Sequence, residues 1–300
     1  GEWYTESGDS LGRVPFGSAT GAYFRQNIQA PWFAYWLKDV GTGRFPEAVM
    51  FDAGARQWRQ FDSWPPRAAT AAKLYLRSGG RLSFSPPGAG EDADRFVSDP
   101  AHPVPYRPRP VEWTYDPRGS RWHQWMIEDQ RFVAGRPDVL LWQTEPLDAD
   151  VTVTGQIVAK LTVATTGKDA DWVVKLIDVY PDSIADRPYL GGYQLMIAGD
   201  ILRGRYRQSW ERPQAMTPNT PTAVSVDLHN QAYTFRRGHR IMVQVQSTWF
   251  PLYDRNPQTW VPNIFLAHAS DYQPQTHRVL HDSAHLSYVE LPTVGTQPKR

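Results

Sequence analysis

Four groups of residues in this sequence have types and spacings that could carry chemistry. Gly8-Asp9-Ser10-Leu11-Gly12 has the G-x-S-x-G pattern, in which glycines let a serine stand on a sharp strand-to-helix turn as a nucleophile. The context is wrong for that role: Thr5-Glu6-Ser7 is polar where a strand should be apolar, and Arg13-Val14-Pro15 does not open a helix. The pattern is therefore expected to be a loop. His277, His281 and His285 repeat every four residues, a spacing that would line one helix face and could bind zinc. The segment runs straight into the alternating Leu286-Ser287-Tyr288-Val289, so structural or surface histidines are expected and no metal site is assigned. Carboxylates cluster at Glu91-Asp92-Ala93-Asp94, at Asp148-Ala149-Asp150 and at Asp169 with Asp171. None sits in a glycine-pivoted calcium loop, and all are expected to be turn residues. The fourth group is aromatic: Trp113, Tyr115, Trp122 and Trp125 are denser than a strand face requires and flanked by Pro and Gly. Rings in that setting suit an apolar ligand pocket or an interdomain contact as well as a core.

The elements that would position these groups are mostly strands. Between residues 20 and 39, Tyr23, Phe24, Ile28, Phe33, Trp36 and Leu37 recur close to every 3.6 residues and predict a helix, with a kink or a break into two helices at Pro31 and an end at Gly41-Thr42-Gly43. Strands are expected at 47–52 and 57–61 around Gly54. Trp64-Pro65-Pro66 then interrupts the pattern and divides the chain into 1–66 and 67–300. Beyond it, 73–77 and 81–84 form a hairpin about Gly79-Gly80, and 86–121 is a long Pro-, Gly- and Asp-rich excursion. Further strands are expected at 139–144, 150–165, 172–180, 194–198, 201–207, 222–228, 232–235, 240–248 and 286–291. Many strands and one interrupted helix predict a mainly β protein, a jelly-roll β-sandwich preceded by a short helix-and-strand unit.

Composition narrows the function classes. Lys and Arg total 32 against 31 Asp and Glu over 300 residues, so there is no one-signed field of the kind nucleic-acid binding uses. Cysteine is absent, which removes thiol nucleophiles and disulfides. No apolar run approaches the roughly 18 residues of a membrane-spanning helix. Gly1-Glu2-Trp3-Tyr4 is neither an initiator methionine nor a secretory signal, and the chain is expected to open in mid-motif, as a fragment or a processed chain would.

Several blocks resemble one family. Asp171-Trp172-Val173-Val174-Lys175-Leu176-Ile177-Asp178-Val179-Tyr180-Pro181 is similar to the signature strand of the jelly-roll domain shared by cocaine esterase, X-Pro dipeptidyl-peptidase and α-amino acid ester hydrolases, the CocE/NonD serine hydrolases. Asp129-Gln130-Arg131-Phe132 with Arg136-Pro137-Asp138-Val139-Leu140, Arg203-Gly204-Arg205-Tyr206-Arg207, Gly238-His239-Arg240-Ile241 and Phe250-Pro251-Leu252-Tyr253-Asp254-Arg255-Asn256-Pro257 resemble further blocks in the family's order. Gly191-Gly192-Tyr193-Gln194-Leu195-Met196 and Asn256-Pro257-Gln258-Thr259 look most like α-amino acid ester hydrolases and related β-lactam acylases.

The resemblance implies a serine hydrolase made of an α/β-hydrolase domain, a helical cap and this jelly roll, working through an acyl-enzyme without a cofactor. It makes residues 1–66 the C-terminal remnant of the α/β-hydrolase domain, and Gly8-Asp9-Ser10-Leu11-Gly12 the block that trails the family's histidine. No catalytic residue is then expected within the chain, the triad lying upstream of Gly1. Trp113, Tyr115, Trp122 and Trp125 become candidates for a wall of the acyl pocket. The implied partners are a small ester or β-lactam substrate and the upstream α/β-hydrolase and cap segment; whether the protein is a homo-oligomer is left open. No nucleic acid or membrane is expected, and the implied location is periplasmic or secreted. The rival readings are a jelly roll that binds carbohydrate or a protein partner without catalysis, and a structural domain that only stabilises its hydrolase and sets oligomer contacts.

Overall fold

Apolar residues at a spacing of two, set against polar or glycine-rich turns, make most of the chain after residue 69 into strands. The computed structural model describes residues 8–117 and 119–295, so the opening Gly1-Glu2-Trp3-Tyr4 lies outside the described residues. Eleven strands join in one continuous sheet, folded over on itself as a sandwich. One layer runs Leu140–Gln143, Arg240–Gln246, Asp171–Val179, Gln194–Arg203, all antiparallel. The other is built on the long strand Val151–Thr165, with Thr222–Phe235 on one side and both Tyr288–Val294 and Gln275–Leu280 on the other. Thr70–Arg77 then pairs with Tyr288–Val294, and Ala93–Ser98 with Gln275–Leu280. The layers connect at one corner, where Gln143 pairs in parallel with Arg81 of Arg81–Ser83. Inward residues of both layers form one core, including Val153, Ile157 and Leu161 opposite Trp172, Val174, Leu176 and Val243. The protein is thus mostly β, as its alternation predicts.

The differences from expectation have local causes. What reads as strands 222–228 and 232–235 is one strand, because the register shifts opposite Gln156–Val158 and His229 adopts φ 63°, a bulge that resets the alternation. A second shift, between Leu176 and Ile177, runs Gln194–Arg203 through what reads as a gap at Gly199. Residues 204–206 do not continue it but close into a short 3₁₀ turn. Ala93–Ser98 and Gln275–Leu280 are strands the charge-rich sequence conceals, and they pair with each other. The helix is not broken at Pro31. A π-helical stretch, Phe24–Gln29, precedes it and accommodates the proline at the first turn of Ala30–Lys38, and the end comes at Asp39 in a left-handed conformation (φ 52°), before Gly41.

Two buried ionic locks hold the turns at the sheet ends. Asp169 accepts from Arg205 Nε at 2.6 Å, and Asp171 from Arg203 Nη2 at 2.9 Å and Asn256 Nδ2 at 2.7 Å. Burial pushes the Asp171 carboxyl pKa up, opposed by Arg203 and Asn256. Between these pairs the Gly204 amide donates to the Ala170 carbonyl at 2.7 Å, so D-A-D lies against R-G-R. The hairpin of Ala48–Asp52 with Gln57–Phe61 forms its own two-stranded sheet. It docks through the buried Asp52, which accepts from Thr234 N at 3.0 Å, Thr234 Oγ1 at 2.6 Å and Arg59 Nε at 3.0 Å. Among the described residues no helix is long and apolar enough to cross a membrane.

A methyl at Gly204 would lie 2.7 Å from the Ala170 oxygen and 2.8 Å from Met216 Sδ. Gly204→Ala should cost about 1–3 kcal/mol in denaturant unfolding. Gly88→Ala, which meets nothing within 4 Å, should stay within about 0.5 kcal/mol of wild type.

Candidate functional site

The excursion from residue 99 onward crosses the outer side of the first layer, hydrogen-bonded to the loop that follows Arg240–Gln246 where Tyr106 N donates to the Phe250 carbonyl at 2.7 Å. It ends in a single helical turn, Trp122–Met126. On that turn the rings of Trp122 and Trp125 stack with centroids 5.7 Å apart. Tyr106 tilts against Trp125 at 5.8 Å, and the Arg107 guanidinium lies 4.7 Å from the Trp125 centroid. Trp125 is thus hemmed in, whereas Trp122 remains 47% exposed. Trp113 and Tyr115 stand on a small hairpin, Tyr115–Asp116 with Gly119–Ser120 and the residues before it, at 80% and 69% exposure. The structure brings Trp122 and Trp125 together and leaves Trp113 and Tyr115 out on the surface.

The pair is fixed from beneath by residues that sequence reasoning missed. Arg107 donates to Glu128 at 2.6 and 2.9 Å. The Glu128 carbonyl accepts from Gln130 Nε2 at 2.8 Å, and Gln130 Oε1 accepts from Lys175 Nζ at 2.9 Å. Lys175 is fully buried, 5.1 Å from the Trp249 centroid. Burial drives its pKa down to about 7. The signal was present as a lysine inside Trp172-Val173-Val174-Lys175-Leu176-Ile177, but its partners lie far away in sequence.

On the other side of the turn a cavity of about 610 Å³ is lined by Arg13, His123, Glu128, Asp129 and Tyr193. The Tyr193 hydroxyl donates to the Ile127 carbonyl, and burial pushes its pKa up to about 12. Asp129 is paired with Arg131 and Glu128 with Arg107. These carboxylates are neutralised, so the arrangement suits binding and shape rather than proton transfer. The Gly8–Gly12 turn presses on this segment, since a Cβ on Gly12 would lie 2.6 Å from Ile127 Cδ1.

The remaining candidates serve the structure. Ser10 sits in a two-residue pairing of Ser10–Leu11 with Val14–Pro15, its Oγ 3.4 Å from Asp9, with no strand-to-helix elbow. His277 is buried on a strand, its Nε2 2.7 Å from Gln258 Oε1, with burial holding its pKa down to about 3. His281 Nε2 lies 3.1 Å from Asp94, and His285 Nδ1 3.0 Å from Asp282. These histidines do not share a helix face, and among the described residues no group of three His, Asp or Glu could hold a metal ion. Glu91 is bound by Arg77, which holds its pKa down to about 2. Asp150 pairs with Arg236, and Asp169 and Asp171 are buried in the locks described above rather than in solvated turns.

Residues 34–290 match the family of X-Pro dipeptidyl-peptidase C-terminal non-catalytic domains. The chain is 32% identical over 258 residues to cocaine esterase from Rhodococcus sp. (strain MB1 Bresler), covering 83% of this chain and 42% of that protein. Among solved structures, an α-amino acid ester hydrolase superposes with a TM-score of 0.92 at 44% identity, over 97% of this chain and 48% of that one. An aminopeptidase from a marine sediment Thaumarchaeota archaeon gives the same score and identity over 96% and 47%. The chain therefore spans about half the length of the proteins it matches, or somewhat less.

Between about pH 7 and the ordinary lysine value of 10.5, the unfolded chain holds a proton on Lys175 that the folded chain releases, so stability should rise with pH across that window. Lys175→Met should flatten this slope and add stability on the order of a few kcal/mol near pH 7. Denaturant unfolding at about pH 7 and about pH 10 checks both. Equal slopes in the two proteins would exclude a neutral buried amine.

Proposed function

The chain belongs to the family of X-Pro dipeptidyl-peptidase C-terminal non-catalytic domains, and from that premise we propose that it is the C-terminal part of a serine hydrolase resembling α-amino acid ester hydrolases. The observation that carries this reading is the 44% identity and TM-score of 0.92 to such an enzyme over 97% of the chain. In the whole protein, a serine of an upstream α/β-hydrolase segment attacks the ester carbonyl, the alcohol leaves, and the acyl-enzyme passes its acyl group to water or to the amine of a β-lactam nucleus. Residues 1–300 then stabilise that segment and close one side of the acyl pocket.

Two features support the division of labour. The helix Ala30–Lys38 exposes Trp32, Phe33, Trp36 and Leu37, each at 46% or more, an apolar ridge of the kind another folded unit covers. The Gly12–Ile127 contact sets the Trp122–Asp129 segment against the N-terminal stretch. A phenyl-bearing acyl group would lie on Trp122, with Trp125 and Arg107 behind it.

In the full-length enzyme, Trp122→Ala should raise KM for phenylglycine methyl ester about tenfold with little change in kcat, the loss of one stacking face. Trp113→Ala should leave both constants unchanged. An unaltered KM in Trp122→Ala would remove this wall from the acyl pocket.

A further inference from the structure

A cavity of about 450 Å³ opens between the turn of the Ala48–Asp52 hairpin, the loop after Val179 and the end of Thr222–Phe235, and its Val14 and Leu190 pack in one cluster with Ile127. Its floor is the fully buried Asp178, whose carboxylate accepts from the Tyr233 hydroxyl at 2.6 Å and faces His239 Nδ1 at 2.8 and 3.0 Å. An ionised carboxylate only accepts, so the imidazole carries its proton on Nδ1 towards Asp178. This fixes the ring and leaves Nε2 as a lone-pair acceptor. Burial and the Asp178 charge push the phenols of Tyr180 and Tyr233 up, so both remain protonated donors.

The walls oppose this committed floor with positive charge. Arg56, Arg187 and Arg236 all line the cavity. Arg187 and Arg236 share surface carboxylates, Asp186 and Asp150. Arg56 has no carboxylate partner among the described residues, and its charge is close enough to Tyr180 to work against the rise of that phenol. Arg56 also holds a left-handed conformation (φ 57°) at the end of the hairpin turn, a position where glycine or asparagine is cheaper. A side chain kept at such a site against backbone preference points to a use for it. Between the cations, Val14, Ile184 and Leu190 supply an apolar side.

We propose that this cavity binds a small organic carboxylate with an apolar body, its head group on the guanidiniums of Arg56 and Arg187, its body against Ile184, Leu190 and the Tyr180 ring. Asp178 takes no part in ligand contact; it orients His239, and its own charge is satisfied beneath the site. The hydrolase reading is not needed for this site, because every lining residue belongs to the present chain.

Calorimetric titration of the purified chain with phenylacetate tests it, with phenylacetamide as the neutral isostere and inorganic phosphate as the anion without a body. Phenylacetate should bind, phenylacetamide at least about tenfold more weakly, and Arg56→Ala or Arg187→Ala should each weaken phenylacetate about tenfold, the value of one charge-assisted contact. Both arginines reach solvent, and circular dichroism checks that the variants fold. Equal affinity for acid and amide, no effect of either arginine, or no heat with phenylacetate would overturn the site. Phosphate binding as tightly as phenylacetate would overturn its selectivity for an apolar body.

Discussion

Burial of the strand Asp171–Val179 on both faces is the constraint from which the surrounding structure follows, since all nine of its residues are buried. Its inner side, Trp172, Val174 and Leu176, fills the core between the layers. The outer side is covered by the excursion and the loops around Trp249. A strand in that position could be wholly apolar, yet it carries Asp171, Lys175 and Asp178. Charges out of water must be partnered or neutral, and each of the three recruits a different element. Asp171 takes Arg203 and Asn256, Lys175 takes Gln130, and Asp178 takes Tyr233 and His239. The strand is thereby tied to a turn, to the covering segment and to the end of the second layer.

Both candidate sites hang from this strand. The Trp122–Trp125 stack is positioned through Arg107, Glu128 and Gln130, a succession of contacts that ends on Lys175. The cationic cavity is floored by Asp178, three residues further on, whose side chain points to the inner side. One site is therefore set by the outer face of the strand and the other by its inner face. The ionic partners around Trp125 are already mutually neutralised, which gives the stack rigidity and leaves acid–base work to other groups. The cavity at Asp178 has the opposite balance, with cations in excess at its mouth.

Much of this was legible in the residues. Alternation located most strands, and the density of Trp113, Tyr115, Trp122 and Trp125 drew attention to a segment two of whose rings do stack. What was hidden is physical in kind. Bulges at His229 and near Ile197 break a period of two, so one strand reads as two. Ala93–Ser98 and Gln275–Leu280 carry Ser98 and His277 at buried positions where apolar residues would mark a strand. Pro31 signals a kink or a break, and the π-helical stretch before it lets the helix run on unbroken. Ionic complementarity between Asp169-Ala170-Asp171 and Arg203-Gly204-Arg205 needs a fold to bring the two tripeptides together. Lys175 and His239 stood within blocks that marked a family, and only their surroundings reveal a buried amine and an oriented imidazole.

The placement of Tyr288–Val294 bears on how the chain is made. It lies between Thr70–Arg77 and Val151–Thr165, inside the second layer rather than at its margin. A ribosome delivers residues in order, so the long strand emerges well before its neighbour on that side exists. The second layer cannot close until residue 294 has been released, and until then Val151–Thr165 presents an unpaired flank. Thr70–Arg77, made earlier still, waits for the same partner, and a stop codon late in the message would remove an interior stave rather than trim an end.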